Sequence, residues 1–425
     1  MTTDATNLGE LLAQMPSPTL GAAAEMYLGL FSHITGVQQA KKEGKTIVWG
    51  SILMPQEIFH AMDMSMVYVE LVGAIGAITG TSGQQCQAAE DAGFSRDVCA
   101  IHRSALGCVA ASEETDSISQ MVFAEPNLVV GTNFPCMSET KSFLYAVDRF
   151  NCPYCFVDTP IDTWGHDIPD YAVEYYVSQL KGMISFLEEH GYKMDWNRLK
   201  EEVAFTQKLN VIGKEIEEYR KAIPTPMRAF DSFIASLAPL VLPPAMRTLD
   251  LFERLRDELK ERVDSHVGTV EEEKLRLLWI GIPPVCSFEL LNYPEQYGAV
   301  FAKSMLEYIV GVPIEPELLD PERPLESLAR GMLANPLNPP YKLGIDYLVK
   351  SVEDYHIDGV VSVVKRSCGL VPGMQRLAKE AIYERTGVPS VIFDLDGVDT
   401  REFDDVGSKA SMDSFIETLL SRKGG

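Results

Sequence analysis

Three of the eight cysteines stand where a thiol could do chemistry, because each lies at a predicted helix start or in a strand-to-helix loop. They are Cys99, Cys136 and Cys368. A helix N-terminus lowers the pKa of a thiol and so favours the thiolate, the form that binds metals. Three thiolates on a [4Fe–4S] cluster would leave one iron with an open position for a substrate. The other interpretation is that each is a small buried side chain, since isolated cysteines are common in cores.

The segment around Cys368 predicts a βαβ unit. An apolar, β-branched run at 359–364 predicts a strand, helical spacing follows over 374–383, and a second apolar run occupies 390–394. This order places Cys368 just past the carboxyl end of the first strand. In open parallel sheets, ligands and cofactors bind outside that end of the strands.

The same unit occurs earlier in the chain. Residues 127–131 predict a strand, Cys136 follows it, a helix is predicted over about 138–150, and the next strand lies at 153–158. Two copies of one unit predict an α/β fold with two similar open parallel-sheet domains, Rossmann- or flavodoxin-like. Cys99, at the start of another predicted helix, would supply a third thiol.

The chain divides into four predicted parts. Residues 1–44 form an N-terminal helical segment, and 45–168 form the first α/β domain. A charged, helix-rich stretch at 169–270 is interpreted as a connection and lid, and 271–425 form the second α/β domain. Within the first domain, the glycine-rich segment 73–83 is predicted to be a loop without a dinucleotide fingerprint.

Composition limits the classes of partner. Apolar residues make up 46% and charged residues 23%, as in ordinary globular proteins. The net charge is −24, which argues against nucleic acid and anionic membranes as partners. No apolar stretch approaches the roughly 20 residues of a spanning helix. Residues 1–7 show no secretion signal, so we expect a cytoplasmic protein with reduced thiols.

Two further motifs are interpreted as structural. Cys152 and Cys155 form a CxxC pair, but the predicted helix precedes them, whereas redox CxxC motifs place the first thiol at a helix N-terminus. Asp394 and Asp396 resemble a phosphatase nucleophile motif at a strand end, but too little chain follows to supply the other catalytic loops. We expect these aspartates to cap the next loop.

Several short motifs follow one another from about residue 45 to the C-terminus. They are Glu90…Asp97-Val98-Cys99…Gly107, Asn127-Leu128-Val129-Val130 before Cys136, Arg366-Ser367-Cys368, Pro55-Gln56-Glu57, Pro153…Asp158-Thr159-Pro160, Ile168-Pro169-Asp170-Tyr171 and Asp394-Leu395-Asp396. Together they resemble the subunits of 2-hydroxyacyl-CoA dehydratases and of the related ATP-dependent benzoyl-CoA reductases.

The resemblance implies a site and partners. Cys99, Cys136 and Cys368 would be the ligands of a [4Fe–4S] cluster, and Ser51 and Glu57 would lie close to the cluster and the substrate as catalytic residues. The chain would pair with a related second subunit as a heterodimer. An ATP-hydrolysing iron–sulfur activator would supply electrons, and an acyl-CoA would be the substrate.

The implied reaction eliminates water from an (R)-2-hydroxyacyl-CoA to give a 2-enoyl-CoA. The β proton is not activated by the thioester carbonyl, so ordinary acid–base catalysis is a poor route and one-electron reduction is the expected one.

Two residues depart from the family pattern: Lys365, where a polar uncharged residue is common, and Cys286, an unexpected thiol after a strand. Three alternatives therefore stay open: a benzoyl-CoA reductase-type subunit, a non-catalytic electron-relay partner, and a cluster-free α/β binding protein.

Overall fold

The computed structural model describes residues 16–111, 123–161, 167–242, 246–311, 314–338 and 341–424. Within these ranges the chain builds two four-stranded sheets, and all strands in both are parallel. The strand orders are β2-β1-β3-β4 and β6-β5-β7-β8, so the two sheets have the same topology. The strands are β1 Ile47–Gly50, β2 Ser65–Tyr68, β3 Leu128–Thr132, β4 Tyr154–Val157, β5 Leu275–Ile280, β6 Ala299–Ser304, β7 Gly359–Val364 and β8 Ser390–Asp394.

Helices cover the sheets and form the region between them. The α-helices are α1 Gly21–Lys42, α2 Gln56–Ala61, α3 Val69–Ile78, α4 Ser82–Asp91, α5 Ala100–Ala110, α6 Met137–Phe150, α7 Asp170–Glu189, α8 Trp196–Arg220, α9 Ala229–Val241, α10 Met246–Asp264, α11 Glu289–Asn292, α12 Pro324–Leu333, α13 Tyr341–Asp354, α14 Pro372–Thr386 and α15 Asp405–Gly424. A π-helix at Glu307–Gly311 and short 3₁₀ turns complete the description.

The predicted fold class is confirmed: an α/β fold with two similar parallel-sheet domains. The inner strands β1, β3, β5 and β7 are almost wholly buried, whereas the edge strands β4 and β8 are partly exposed. This burial explains why the inner strands have continuous apolar sequences, since helices cover both faces of a parallel sheet. The domain boundaries at 44, 168 and 270 stay predictions.

The glycine-rich segment 73–83 was wrongly predicted to be a loop. It contains α3 and the start of α4, with a turn only around Gly80, where φ is +75°. The other glycines serve close helix packing: a Cβ on Gly73 would lie 2.0 Å from the carbonyl oxygen of Ile101 in α5. A high glycine content therefore marked contact between helices and not a flexible backbone.

The segment 1–44, predicted to be helical, contains α1, which begins at Gly21. Residues 1–15 lie outside the described ranges, and residues 16–20 are not helical. The backbone N–H and side chain of Thr19 both donate to the Asp231 carboxylate in α9, at 2.8 and 2.5 Å. This fixes the entry of the chain, and α1 starts at Gly21. No helix in the described residues is long and apolar enough to cross a membrane.

Candidate functional site

The candidate site lies where the strands of both sheets reach their carboxyl ends. In each sheet the strand order reverses between the first and third strands, β1 and β3 or β5 and β7, which opens the crevice where parallel sheets bind ligands. Ser51 directly follows β1, and Glu70 follows β2 by two residues. Cys136 lies four residues after β3, and Cys368 lies four residues after β7.

Hydrogen bonds bring the three cysteine loops together. The backbone N–H of Cys99 donates to the Ser138 hydroxyl at 3.3 Å, which joins the start of α5 to the loop of Cys136. The next N–H of α5, from Ala100, donates to the hydroxyl of Ser367 at 3.0 Å, which joins it to the loop of Cys368. One helix N-terminus from the first domain thus contacts cysteine loops from both domains.

A buried lysine completes this contact. The Lys365 ammonium group, 5% exposed, donates to the Cys99 sulfur at 3.4 Å. Burial opposes ionisation of Cys99, but Lys365 and then His102 lower the pKa of this thiol below its ordinary value. Burial likewise opposes the charge on Lys365, whereas Cys99, Asp396 and Cys368 together raise its pKa. Each group therefore favours the charged form of the other. Burial raises the pKa of the Cys136 thiol to about 11.

Ion pairs between the domains hold these loops in place. Arg103, in α5, contacts Asp399 at 2.6 Å, and both side chains are almost completely buried. Arg401 binds the same Asp399 carboxylate and also contacts Glu90 in α4 at 2.5 Å. Ser82 donates to the carbonyl oxygen of Val398 at 2.6 Å. The loop after β8 is thus tied to the first domain beside Cys99.

Two acids, Glu70 and Glu139, lie beside Ser51 and His102. The Ser51 hydroxyl donates to Glu70 at 2.7 Å, and His102 contacts Glu139 at 3.0 Å. Burial, reinforced by the charge of Glu139, raises the pKa of Glu70 to about 8. Burial raises the pKa of Glu139 to about 7. Ser51 thus lies beside two carboxyl groups that can hold protons near neutral pH.

Glu57 lies on the other side of the short loop that follows β1. Its carboxylate accepts a hydrogen bond from Thr206 in α8 at 2.7 Å, and burial raises its pKa. Gln56 explains why this loop is rigid, because its amide donates to the carbonyl oxygens of residues 51, 52 and 54. Tyr68 in turn donates to the Gln56 carbonyl oxygen at 2.6 Å. Residues 53–57, from this loop and the start of α2, line a pocket that also includes Thr206.

Cys99, Cys136 and Cys368 are the candidate donors for a cluster. Among the described residues, no three His, Cys, Asp or Glu side chains are grouped so as to hold one metal ion. In a [4Fe–4S] cluster, by contrast, separate thiolates bind different irons and need not converge on one point. The structure provides thiols in three adjoining loops and a buried ammonium group that would balance thiolate charge. The chemistry of this set suits an anionic cluster.

The sequence patterns did not indicate that Glu70, Glu139 and Lys365 lie beside the predicted site residues. The position of Glu70 could have been predicted, because it follows a strand of the same sheet as Ser51. Lys365 was noticed only as a departure from the family pattern. Cys286, the other departure, lies near Asp396 and Lys365, and burial raises its pKa to about 12.

The two motifs interpreted as structural have structural surroundings. Cys152 follows α6 and Cys155 lies within β4, so neither thiol is at a helix N-terminus. Burial raises the pKa of both, that of Cys155 to about 12. Asp396 accepts from the backbone N–H groups of Val398 and Asp399, as expected for a loop cap, and also from the Ser367 hydroxyl at 2.5 Å.

Comparison with known proteins agrees with this architecture. Residues 51–419 match the family described as 2-hydroxyglutaryl-CoA dehydratase, D-component. The chain is 26% identical to the (R)-phenyllactyl-CoA dehydratase alpha subunit of Clostridium sporogenes, over 91% of this chain and 92% of that protein. It is 26% identical to the alpha subunit of lactoyl-CoA dehydratase of Anaerotignum propionicum, over 95% of this chain and 97% of that protein. It is 25% identical to a benzoyl-CoA reductase subunit of Thauera aromatica, over 94% of each.

Fold and site together define an α/β protein with two parallel sheets of the same topology and three cysteine loops joined by hydrogen bonds. The family match spans nearly the whole chain, and the chain therefore belongs to the 2-hydroxyglutaryl-CoA dehydratase D-component family. The resemblance seen in the sequence motifs is confirmed.

Proposed function

We propose that this chain is the iron–sulfur subunit of an (R)-2-hydroxyacyl-CoA dehydratase. In this proposal Cys99, Cys136 and Cys368 hold a [4Fe–4S] cluster, and a related second subunit completes a heterodimer. An ATP-hydrolysing activator supplies the electron. The product is the 2-enoyl-CoA. Names of similar proteins support the reaction class, since several are acyl-CoA dehydratase alpha subunits.

One observation carries the cofactor part of the proposal: Lys365, in the loop that bears Cys368, donates a hydrogen bond to the sulfur of Cys99. A buried ammonium ion is costly unless an anion compensates it. A thiolate does so in the protein alone, and a cluster with thiolate ligands would do so when bound. When bound, the cluster supplies one-electron chemistry and an iron that can bind the leaving oxygen.

The chain's own residues supply the proton chemistry. Glu57 is buried, and burial raises its pKa and so favours the protonated carboxyl group, while Thr206 donates a hydrogen bond that orients it. On the other side of the loop, Ser51 is held by Glu70, and Glu139 lies next to this pair. Packing of α8 against α2 buries most of Glu57 and limits the access of water to its carboxyl group.

The second candidate is a benzoyl-CoA reductase-type subunit, which would reduce an aromatic ring without losing water. The observation that favours it is the 25% identity to a benzoyl-CoA reductase subunit, close to that of the dehydratases.

Turnover by the complete complex separates the two candidates. The chain, its partner subunit, the activator and ATP are assayed anaerobically with (R)-2-hydroxyacyl-CoA and with benzoyl-CoA. We expect the 2-enoyl-CoA from the first and no reduced ring from the second. Glu57→Gln should lower kcat by roughly 10²–10³-fold, and Glu201→Gln, an exposed acid on α8, is the control. Ring reduction without dehydration would contradict the dehydratase proposal.

A further inference from the structure

A pocket lies beside Glu57. It is open to solvent and lies between the loop after β1, helices α8, α9 and α12, and the π-helix. Ligand pockets often occur at domain interfaces and near the switch points of parallel sheets. Residues 53–57 form one wall, so the pocket lies two residues along the chain from Ser51.

Most of the wall is apolar. Leu209, Leu240, Ile309, Leu328 and Met332 are among its side chains. In the part of the chain that the structure describes, no lysine, arginine or histidine lines the pocket. Glu57 is its acidic residue. A second carboxylate placed here would meet an apolar surface and an acid, without a cation to compensate it.

One polar group in the pocket lacks a partner. The side-chain amide nitrogen of Asn210, in a residue 3% exposed, donates to no acceptor among the described residues. Buried donors are almost always satisfied, and those left open in a pocket point to a ligand. Asn210 lies one helical turn after Thr206, so both side chains lie on the same face of α8, near Glu57. Together with Glu57 they place polar groups on the wall of a mostly apolar pocket.

A glycine in α12 leaves space at one wall of the pocket. A Cβ on Gly331, in α12, would lie 2.7 Å from the terminal carbon of Ile314, which also lines the pocket. Any larger residue at this position would push the Ile314 side chain or occupy the pocket itself. Gly331 and Ile314 therefore limit the length of chain that fits.

From these observations we propose that the pocket binds the acyl group of the CoA thioester and selects an uncharged, largely apolar chain. Asn210 donates a hydrogen bond to an oxygen at the polar end of that group, next to Glu57. The inference rests on the proposed function and adds to it the class of substrate: a monocarboxylic acyl-CoA, as opposed to one with a second carboxylate at its far end.

Binding of two matched thioesters tests the proposal without turnover. Pentanoyl-CoA and glutaryl-CoA have five-carbon acyl groups and differ in a terminal methyl or carboxylate. Their affinities for the anaerobic, cluster-loaded heterodimer are measured by calorimetry without activator or ATP. We expect pentanoyl-CoA to bind about 100-fold more tightly or better, since a buried carboxylate here stays unpaired. Equal affinities, or tighter binding of glutaryl-CoA, would overturn the inference.

Variants locate the binding within the pocket. Asn210→Ala should weaken pentanoyl-CoA about 10-fold, the effect of one lost hydrogen bond, and Asn210→Ser, which keeps a donor, should weaken it less. Val211→Ala, on the exposed face of the same helix, is the matched control and should bind like the parent. Gly331→Val should weaken pentanoyl-CoA more than acetyl-CoA. Unchanged affinity in both Asn210 variants and in Gly331→Val would place the acyl group elsewhere.

The outcomes separate this inference from the function on which it rests. If glutaryl-CoA binds as well as pentanoyl-CoA, the complex still binds acyl-CoA and only the pocket assignment fails. If neither thioester binds to a complex that retains its iron, the proposed function fails and the inference with it. The ligand comparison uses the unmodified protein, so it stands even where a variant does not fold.

Discussion

Loss of the Cys99 thiol should destabilise the apoprotein far more than loss of an ordinary buried cysteine. The reason is Lys365, whose ammonium group is buried and whose hydrogen-bond partner is the Cys99 sulfur. In Cys99→Ala the lysine stays buried without that partner. The double variant Cys99→Ala/Lys365→Met removes the charge as well and fills the space with an apolar chain.

The magnitude follows from the distance of 3.4 Å. With an effective dielectric constant of about 20, two unit charges at that separation interact by about 5 kcal/mol. The cost of deprotonating the unpaired lysine sets a similar upper limit. The ordinary lysine pKa lies about 3.4 units above pH 7, and each unit corresponds to about 1.4 kcal/mol, so deprotonation costs about 5 kcal/mol. We therefore expect Cys99→Ala to lower the free energy of unfolding by about 3–5 kcal/mol and the double variant to recover most of it.

Urea unfolding of the reduced apoprotein at pH 7, followed by circular dichroism, measures both effects. Cys155→Ala is the control, because burial alone raises the pKa of Cys155 and no lysine contributes. It should cost about 1 kcal/mol, as for a small buried group. The single variants Cys99→Ala and Lys365→Met are measured as well. If their losses in free energy of unfolding add up to that of the double variant within about 0.5 kcal/mol, the two residues are not coupled and the charge argument is wrong.

Three other predictions concern the surroundings of the site. Gly73→Ala should destabilise the protein by about 1–3 kcal/mol and reduce bound iron, because the new Cβ would collide with the Ile101 carbonyl just after Cys99; unchanged iron and urea midpoint would show that α3 and α5 can separate freely. Asp399→Ala should cost about 3 kcal/mol and release iron without altering a thiol, since it leaves buried Arg103 with a weaker partner; full iron retention would contradict the role given to this domain contact. The pKa of Glu70 is raised to about 8 in the folded protein, whereas in the unfolded chain it is about 4.5. The contribution of Glu70 to stability is therefore complete below about pH 4.5 and is lost as the pH rises to about 8. Glu70→Gln should reduce the loss of stability between these pH values, and an unchanged slope would assign that loss to other groups.

Local sequence patterns predicted the parts of the structure that depend on neighbouring residues. The βαβ unit around Cys368 could be predicted because apolar runs, a helical spacing and Gly387 follow one another along a short stretch of the chain. Its copy around Cys136 supported the same interpretation. The position of Cys99 at a helix start followed in the same way, and the structure has it as the residue preceding α5.

Contacts between distant residues could not be predicted in this way. Lys365 and Cys99 are 266 positions apart, and nothing in either local pattern indicates that they meet. Gly73 looked like a loop residue because the partner that requires a glycine there, Ile101, lies on another helix. Asn210 resembles any polar residue on a long charged helix, and only the packing of α8 shows that it is buried in a pocket.

The iron and acid-labile sulfide content of the anaerobically purified chain tests the central claim most directly. We predict about four irons and about four sulfides per chain, as a [4Fe–4S] cluster requires. Cys99→Ala, Cys136→Ala and Cys368→Ala should each lose most of both, whereas Cys152→Ala, the half-buried thiol after α6, should retain them. A colourless, iron-free chain from an anaerobic preparation, or three variants that keep their iron, would contradict the account.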